Sequence, residues 1–398
     1  MQIENIDIID NMKEFLNEIF NKAISIWTSD IHFEPQKDNF YLRFRIDWDL
    51  HIFYKISNEN ADNIIARIKI LSKLKVDEKR LPQDGQIVYN YNGEDIDFRV
   101  STFPTLYWEK IVIRILKKDA NLLNLDRLWF LTYNLNLIKK ALQFKEWLIL
   151  VAWPTGSWKT TTLYSLINQF DPKKYNINTL EDPIEYKLPW ISQSQVNPDI
   201  GYDFSNWLRS LLRQDPDIIL VWEIRDKQTA QLAVEACLTW HLVLWTIHAN
   251  KWSWVIERLL NLNVSSYLIS NVLKLVISQR LVKKLCSCAK KADMTEKEGQ
   301  IFQQWLWKIY EQKLKNENNF KHKLWCEKCL NTWYRWRIWI HEVIYIDDEL
   351  SKIINDNFSA QKWKILSKEK WYFTLYKDWL IKTLYWLTDF WQVLPYKE

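Results

Sequence analysis

Glycine is scarce in this sequence. An ordinary chain of this length has about 28 glycines, whereas this one has 5 glycines and 25 tryptophans in 398 residues. A chain so poor in glycine lacks the residue that positive-φ turns and phosphate-binding loops require. The two residue types together number 30, which is close to an ordinary glycine content and suggests that tryptophan occupies positions of glycine.

Other scarcities narrow the class of protein. Five cysteines are too few for a disulfide scaffold, and no apolar run approaches the length of a membrane-spanning helix. The N-terminal stretch Met1–Phe15 is acidic and unlike a signal peptide, so we expect a cytoplasmic protein. The 54 basic and 49 acidic residues give a net charge of only +5, too weak to indicate nucleic-acid binding.

One segment shows tryptophan where the backbone needs glycine. Residues 152–161 read Ala-Trp-Pro-Thr-Gly-Ser-Trp-Lys-Thr-Thr, which is the phosphate-binding loop G-x-x-x-x-G-K-[ST] if Trp153 and Trp158 are glycines. We infer that the gene uses UGA for glycine and was translated with a table that reads UGA as tryptophan. The predicted ATP-binding residues are Trp153, Pro154, Thr155, Gly156, Ser157, Trp158, Lys159, Thr160 and Thr161.

The alternative is a protein that is genuinely rich in tryptophan. An indole at position 158 would occupy the space of the phosphates beside Lys159, so the literal chain is not expected to bind ATP. The functional expectations therefore concern the glycine-restored chain, in which the 25 tryptophans are glycines. Indoles packed into one coherent core would favour the alternative. Indoles on turns would favour recoding, and the exchange restores turns at Trp48, Trp129, Trp240, Trp333 and Trp336.

The hydrophobic pattern predicts an α/β protein of two domains. Residues 1–120 combine a helical period with alternating strands and form a small α/β domain that ends at a hinge in 117–121. Residues 121–398 begin with a buried strand, the phosphate loop and a helix from Lys159, which is the start of a P-loop fold. A second buried strand, residues 218–221, leads to Glu223, where a Walker B acid is expected.

Four nucleotide motifs follow one another: Walker A at 153–160, an Asp box at 181–186, a Walker B region at 213–226 and a His box at 239–248. With the segments 28–35 (TSDIHFEP), 80–85 (RLPQDG) and 339–342 (WIHE), they make the chain closely similar to the type II secretion and type IV pilus assembly ATPases, the GspE/PilB group. The resemblance implies a RecA-like P-loop ATPase domain with a zinc-binding insertion and C-terminal helices. It also implies a hexameric ring in which the N-terminal domain closes over the nucleotide.

The resemblance also implies roles for individual residues. Lys159 would neutralise the β- and γ-phosphates, and Thr160 and Glu223 would hold Mg²⁺ and its water shell. Glu185 would orient the attacking water, and the roles of Glu185 and Glu223 could be exchanged. Further residues at the nucleotide would be His241 and His248 as sensors of the γ-phosphate and Arg99 and Arg114 as arginines from the N-terminal strands, with Arg43, Arg45 and Arg213 as second choices.

The cysteines predict a structural metal site. Cys286 and Cys288 pair by spacing with Cys326 and Cys329, and four thiolates can hold a tetrahedral Zn²⁺ within a tetracysteine element at about 281–345. The first pair is C-x-C where the family has C-x-x-C, and His322 is a conceivable substitute ligand. The fifth cysteine, Cys237, lies in an apolar helical segment and is expected in the core.

The function that the resemblance implies is a cytoplasmic motor. It would hydrolyse ATP with Mg²⁺ to drive pilus assembly or type II secretion, and would be peripheral to the inner membrane through a platform protein. The zinc element favours assembly over retraction, and recruitment is expected to differ or to use another surface because the sequence begins at the family's second N-terminal domain. The alternatives are a non-catalytic nucleotide-binding adaptor ring and a DNA-uptake motor of the same superfamily. No direct contact with nucleic acid is expected.

Overall fold

The structure is a computed structural model. It describes residues 3–6, 11–116, 124–144, 146–152, 159–197, 200–224, 226–247, 249, 252–292, 296–313, 320–322, 326, 329, 332–356, 372–385 and 387–392. The predicted hinge at 117–121 lies outside these residues. Two compact units are present: residues 1–119 with 327–334, and residues 120–326 with 335–398.

The first unit contains a mixed β-sheet and two α-helices among its described residues. Its sheet has the order β1-β4-β3-β2-β7-β6-β5, in which β1 and β4 are parallel and the other pairs antiparallel. Phe20, Phe33 and Phe98 lie in its buried core. The elements are β1 Glu4–Ile6, α1 Met12–Ser25, β2 Asp30–Pro35, β3 Phe40–Ile46, β4 Asp49–Ile56, α2 Ala61–Leu71, β5 Gln83–Tyr91, β6 Glu94–Pro104 and β7 Glu109–Leu116.

The second unit is built on a sheet of order β10-β9-β11-β12-β8-β13-β16. The strands from β10 to β13 in that order pair in parallel. Its elements are α3 Thr132–Ala141, β8 Leu148–Ala152, α4 Lys159–Ile167, β9 Ile177–Glu181, β10 Ser192–Gln195, α5 Phe204–Leu211, β11 Ile218–Val221, α6 Lys227–Leu238, β12 Leu242–Ile247, α7 Trp252–Asn261, α8 Ser266–Val272, β13 Leu273–Leu285, β14 Lys290–Ala292, α9 Glu296–Lys313, β15 Phe320–His322, β16 Tyr334–Tyr345, α10 Asp348–Asn355 and α11 Leu375–Leu384.

The central strands of this sheet are buried on both faces. Leu148 and Leu150 of β8 pack into one apolar cluster, whereas Ile149 and Val151 pack into another. Continuous apolar strands of this kind are typical of parallel sheets covered by helices on both sides. Among the described residues, no helix has the length and apolar character to cross a membrane.

Many of the tryptophans adopt a backbone conformation that favours glycine. Twelve described non-glycine residues have φ between 47° and 77°, and seven of them are Trp27, Trp48, Trp129, Trp190, Trp240, Trp333 and Trp336. Asn and Asp tolerate this region, but a bulky side chain there is an outlier. Two of the glycines, Gly93 at 87° and Gly201 at 70°, share the same region. The tryptophans at these turns therefore stand where glycine is expected.

Other tryptophans are buried, but in separate clusters. Trp245 and Trp252 pack on one side of the second sheet, and Trp222 and Trp339 on the other. Trp379 belongs to a third cluster, beside α9 and α11. The described indoles thus do not form the single coherent core that a genuinely tryptophan-rich protein was expected to have.

Candidate active site

The parallel strands bring the predicted acids to one edge of the second sheet. Ala152, the last residue before the phosphate loop, pairs with Ile247 of β12. On the next strand, Val221 pairs with Trp245 and with Leu180. Glu223, two residues beyond Val221, is therefore level with Ile247 and Ala152. Since parallel strands end at the same edge, β8, β9, β11 and β12 all end at one edge of the sheet.

The phosphate loop itself lies outside the described residues, from Trp153 to Trp158. Lys159 and Thr160 open α4, and Thr161 is 2% exposed. The first turn of this helix is anchored to β13, because the buried Thr162 hydroxyl donates a 2.7 Å hydrogen bond to Oε1 of Gln279. Gln279 directly follows Ser278, the register partner of Ala152. The described elements on either side of the loop, β8 and the first turn of α4, thus both contact β13.

Glu223 lies in a short connection whose ends are both fixed. Trp222 N–H donates to the carbonyl of Leu180 at 2.9 Å. On the other side, Asp226 caps α6 by accepting from the Thr229 N–H at 2.8 Å and from its hydroxyl at 2.7 Å. An N-cap carboxylate satisfies backbone donors that the first turn of a helix leaves free. The side chain of Glu223 is half-buried between these two anchors.

Glu185 lies on the neighbouring connection, after β9. Its side chain is half-buried, and its charge contributes to the raised pKa of the buried Glu181. Glu181, Tyr164 and Gln193 were not among the individual residues predicted for the site. The structure places Glu181 within hydrogen-bonding distance of both Tyr164 and Gln193. Polar side chains in the short strand Ser192–Gln195 were the only sequence signal of this arrangement.

The structure places His241 away from this edge. Its Nδ1 lies 2.9 Å from the carbonyl of Ala236 and 3.1 Å from the Thr239 hydroxyl, just before β12 begins at Leu242. The six residues of β12 separate it from the carboxyl end, a distance of roughly 20 Å at 3.3 Å per residue. His248 follows the carboxyl end of β12 in the sequence but lies outside the described residues. Arg213 precedes β11, again on the amino side of the sheet.

The predicted arginines of the first unit form a row on one face of its sheet. Asp30 of β2 pairs with Arg45 of β3 on one side and with Arg114 of β7 on the other, and Arg114 pairs with Arg99 of β6. Arg114 Nε lies 2.9 Å from Asp30 Oδ1, yet its side chain is 64% exposed. Three guanidinium groups and one carboxylate leave this row with an excess of positive charge, which suits an anion such as phosphate.

Glu34 orders a fourth arginine, Arg43, on the same face. It forms ion pairs with Arg43 and with Lys110, whose Nζ is 2.7 Å from Oε1. Burial raises the pKa of Glu34, but hydrogen bonds with His32 and Lys110 and the charges of Lys110 and Arg43 outweigh it and lower this pKa to about 2. The carboxylate therefore stays ionised and holds Arg43 at neutral pH.

The four predicted zinc ligands lie together. The Sγ atoms of Cys286, Cys288, Cys326 and Cys329 are all within 4.8 Å of one another. A tetrahedral Zn²⁺ with Zn–S bonds of about 2.3 Å needs sulfur atoms about 3.8 Å apart. The C-x-C pair thus does not prevent the cluster from forming, and the donor set fits zinc. Cys237 is buried in α6, as expected of a core residue.

Comparison with known proteins identifies the family. The sequence profile of the family described as "Type II/IV secretion system protein" matches residues 8–394. The chain belongs to this family. The type II secretion system ATPase E of Vibrio cholerae is 37% identical over 348 residues, which are 87% of this chain and 68% of the relative. The type IV pilus assembly ATPase PilB of Thermus thermophilus is 37% identical over 387 residues, which are 96% of this chain and 42% of the relative.

Solved structures agree on the fold of this secretion-family chain. The ATPase DotB of Legionella pneumophila has a TM-score of 0.70 at 18% identity, with 98% of each chain covered. The pilus retraction motor PilT with bound ADP has a TM-score of 0.63 at 23% identity, with 95% of each chain covered. The predicted α/β fold class and the predicted family are therefore confirmed.

Proposed function

We propose that the glycine-restored chain is an ATP hydrolase that drives pilus assembly or type II protein secretion. The observation that carries this proposal is the sheet edge at which β8 leads into the phosphate loop and the strands β9 and β11, at the same edge, lead to Glu185 and Glu223. Phosphoryl transfer requires mainly positioning and charge stabilisation, and the two half-buried carboxylates at this edge support such a role.

The chemistry is divided among the loop and the two acids. Lys159 would neutralise the β- and γ-phosphates, as the family resemblance implies. Thr160 and Glu223 would hold Mg²⁺, which supplies charge neutralisation to the phosphate oxygens when bound. Glu185 would orient the attacking water, which needs a carboxylate within hydrogen-bonding distance of that water.

The positive row of Arg45, Arg114 and Arg99 is proposed to act on the nucleotide, with Arg43 beside it. A guanidinium group offers paired donors to phosphate oxygens, and Asp30 orients Arg114 without consuming the charge of the whole row. His248 is proposed as the sensor of the γ-phosphate. His241, which lies on the amino side of the sheet and bonds to Ala236 and Thr239, is instead assigned to holding the end of α6.

The assembly proposed is a homo-hexamer. It would work in the cytoplasm, attached to the inner membrane through a platform protein. The relatives are named as components of secretion and pilus systems, which supports this place in a machine. The clustered thiolates support a structural Zn²⁺, which would tie the chain segments that carry Cys286, Cys288, Cys326 and Cys329.

The test is a pair of isosteric variants of the glycine-restored chain. Glu223→Gln and Glu185→Gln should each lower Mg²⁺-dependent ATP turnover by at least about 100-fold while ATP still binds. The matched control is Glu235→Gln, because Glu235 is exposed on α6, and it should retain the parent rate. Unchanged turnover in both site variants would contradict the motor and favour a non-catalytic adaptor ring.

A further inference from the structure

A buried carboxyl group lies where β9 ends at the proposed catalytic edge. Glu181 is 0% exposed, and its Oε2 accepts a hydrogen bond from the Tyr164 hydroxyl. Its Oε1 accepts from the Thr179 hydroxyl at 2.6 Å and from Gln193 Nε2 at 3.0 Å. Burial raises the pKa of Glu181, and the charge of Glu185 raises it further, while the three hydrogen bonds work in the opposite direction.

Gln193 connects this buried carboxyl group to the loop that carries Glu185. Its Nε2 also donates to the carbonyl of Tyr186 at 2.8 Å, and its Oε1 accepts from the Leu188 N–H at 2.7 Å. A third anchor is close by, since the N–H of Ile184 donates to Oε1 of Gln195 at 3.2 Å. The backbone is therefore held at the residues immediately before and after Glu185.

Tyr164 brings the helix after the phosphate loop into the same network. It lies on α4, which begins at Lys159, and its ring meets the ring of Tyr186 edge-on at a centroid distance of 5.8 Å. One buried tyrosine thus contacts both Glu181 and the residue after Glu185. The network therefore joins α4, the helix that follows the phosphate loop in the chain, to the loop that carries Glu185.

We propose that Gln193, together with Tyr164 and Glu181, is a positioning network that fixes Glu185 relative to α4, the helix that begins at Lys159. This inference rests on the proposed function, because it assigns a task to the loop of Glu185. Gln193 is suited to the task, since one primary amide supplies both the donor and the acceptor that the loop requires. A displacement of about 1 Å at a catalytic group lowers turnover by up to 100-fold, whereas ATP binding depends on other residues.

The first test is Gln193→Met in the glycine-restored chain, which keeps the length of the side chain and removes its donor and its acceptor. Turnover should fall by about 10- to 100-fold, with ATP affinity within about threefold of the parent in a titration with a fluorescent ATP analogue. The control is Gln231→Met on the exposed face of α6. A Gln193→Met variant with turnover within about twofold of the parent would overturn the inference.

Two further measurements separate positioning from general stability. Amide hydrogen exchange at Leu188 should be at least about tenfold faster in Gln193→Met and unchanged in the control, because the acceptor of this N–H is lost. Gln193→Glu keeps the acceptor but places a carboxylate against Glu181, so its turnover relative to the parent should rise as the pH falls and the new acid becomes a donor. Unchanged exchange at Leu188, or parallel pH profiles, would overturn the inference. A parent chain without any turnover would contradict the proposed function itself, whereas exchange at Leu188 would still test the positioning network.

Discussion

Five exposed tryptophans with positive φ provide a stability test of the recoding. Trp48, Trp129, Trp190, Trp240 and Trp336 are between 40% and 75% exposed, and their removal loses the same buried indole area whichever small residue replaces them. We predict that replacing all five with glycine makes the chain more stable than replacing the same five with alanine. Both sets lose the same indoles, but alanine keeps the Cβ that the left-handed region penalises.

The size of the difference follows from two opposing terms. A Cβ in the left-handed region costs roughly 1–2 kcal/mol per residue, and the greater freedom of glycine in the unfolded chain returns roughly 0.5–1 kcal/mol. The net advantage of glycine is therefore about 0.5–1 kcal/mol at each position, or roughly 2.5–5 kcal/mol for the five. This is a large part of the 5–15 kcal/mol that stabilises an ordinary domain.

The assay is urea unfolding of both five-fold variants, followed by far-ultraviolet circular dichroism. Contacts such as the one between Lys284 and the Trp129 ring, at 4.7 Å, are lost equally in both variants and cancel. The result that refutes the reasoning is an alanine variant as stable as the glycine variant, or more so. These positions would then have no preference for glycine, and the backbone argument for recoding would fail.

Three further predictions concern other parts of the molecule. Removal of metal with a strong chelator should release about one Zn²⁺ per chain and lower the melting temperature. Cys326→Ser should lower both the zinc content and the melting temperature. A chain that is purified without zinc and is unaffected by the chelator would contradict the zinc site. Glu34→Gln should lower stability by up to about 2 kcal/mol at neutral pH, since the folded-state pKa of Glu34, about 2, lies below the usual value of 4.5. This stabilisation is complete above the unfolded-state pKa and is lost as the pH falls through the folded-state pKa. The difference in stability between parent and variant in urea unfolding should therefore disappear over that pH range, and a difference independent of pH would refute the prediction. In the second unit, the buried Lys382 Nζ lies 2.6 Å from Asp378 Oδ2. Lys382→Met should lower the free energy of unfolding by about 3–5 kcal/mol, because it removes the lysine that neutralises the buried Asp378. The double variant Lys382→Met with Asp378→Leu should recover part of that stability, and an equal loss of stability in both variants would contradict the reasoning.

The fold could be predicted because its signals are local and repeated. The apolar strand predicted at 218–221 is β11, and the helix predicted from Lys159 is α4. Both patterns survive the tryptophans, because burial of Leu, Ile and Val determines which segments form the sheet. The phosphate loop could be predicted only after glycine was substituted for Trp153 and Trp158.

Other features depend on tertiary structure that a linear sequence does not display. The position of His241 on the amino side of the sheet follows from where β12 begins, and a motif that contains both histidines does not reveal that a whole strand separates them. The network of Tyr164, Glu181 and Gln193 joins three elements distant in sequence. Only the parallel register of β10 on β9 brings Gln193 opposite Thr179 and next to Glu181.

The most direct test of the central claim is Mg²⁺-dependent ATP hydrolysis by two synthetic proteins. One is the literal chain, and the other has its 25 tryptophans changed to glycine. We predict turnover in the glycine version alone, because an indole beside Lys159 fills the space of the phosphates. Turnover in the literal chain would contradict the recoding, and a folded glycine version without turnover would contradict the ATPase.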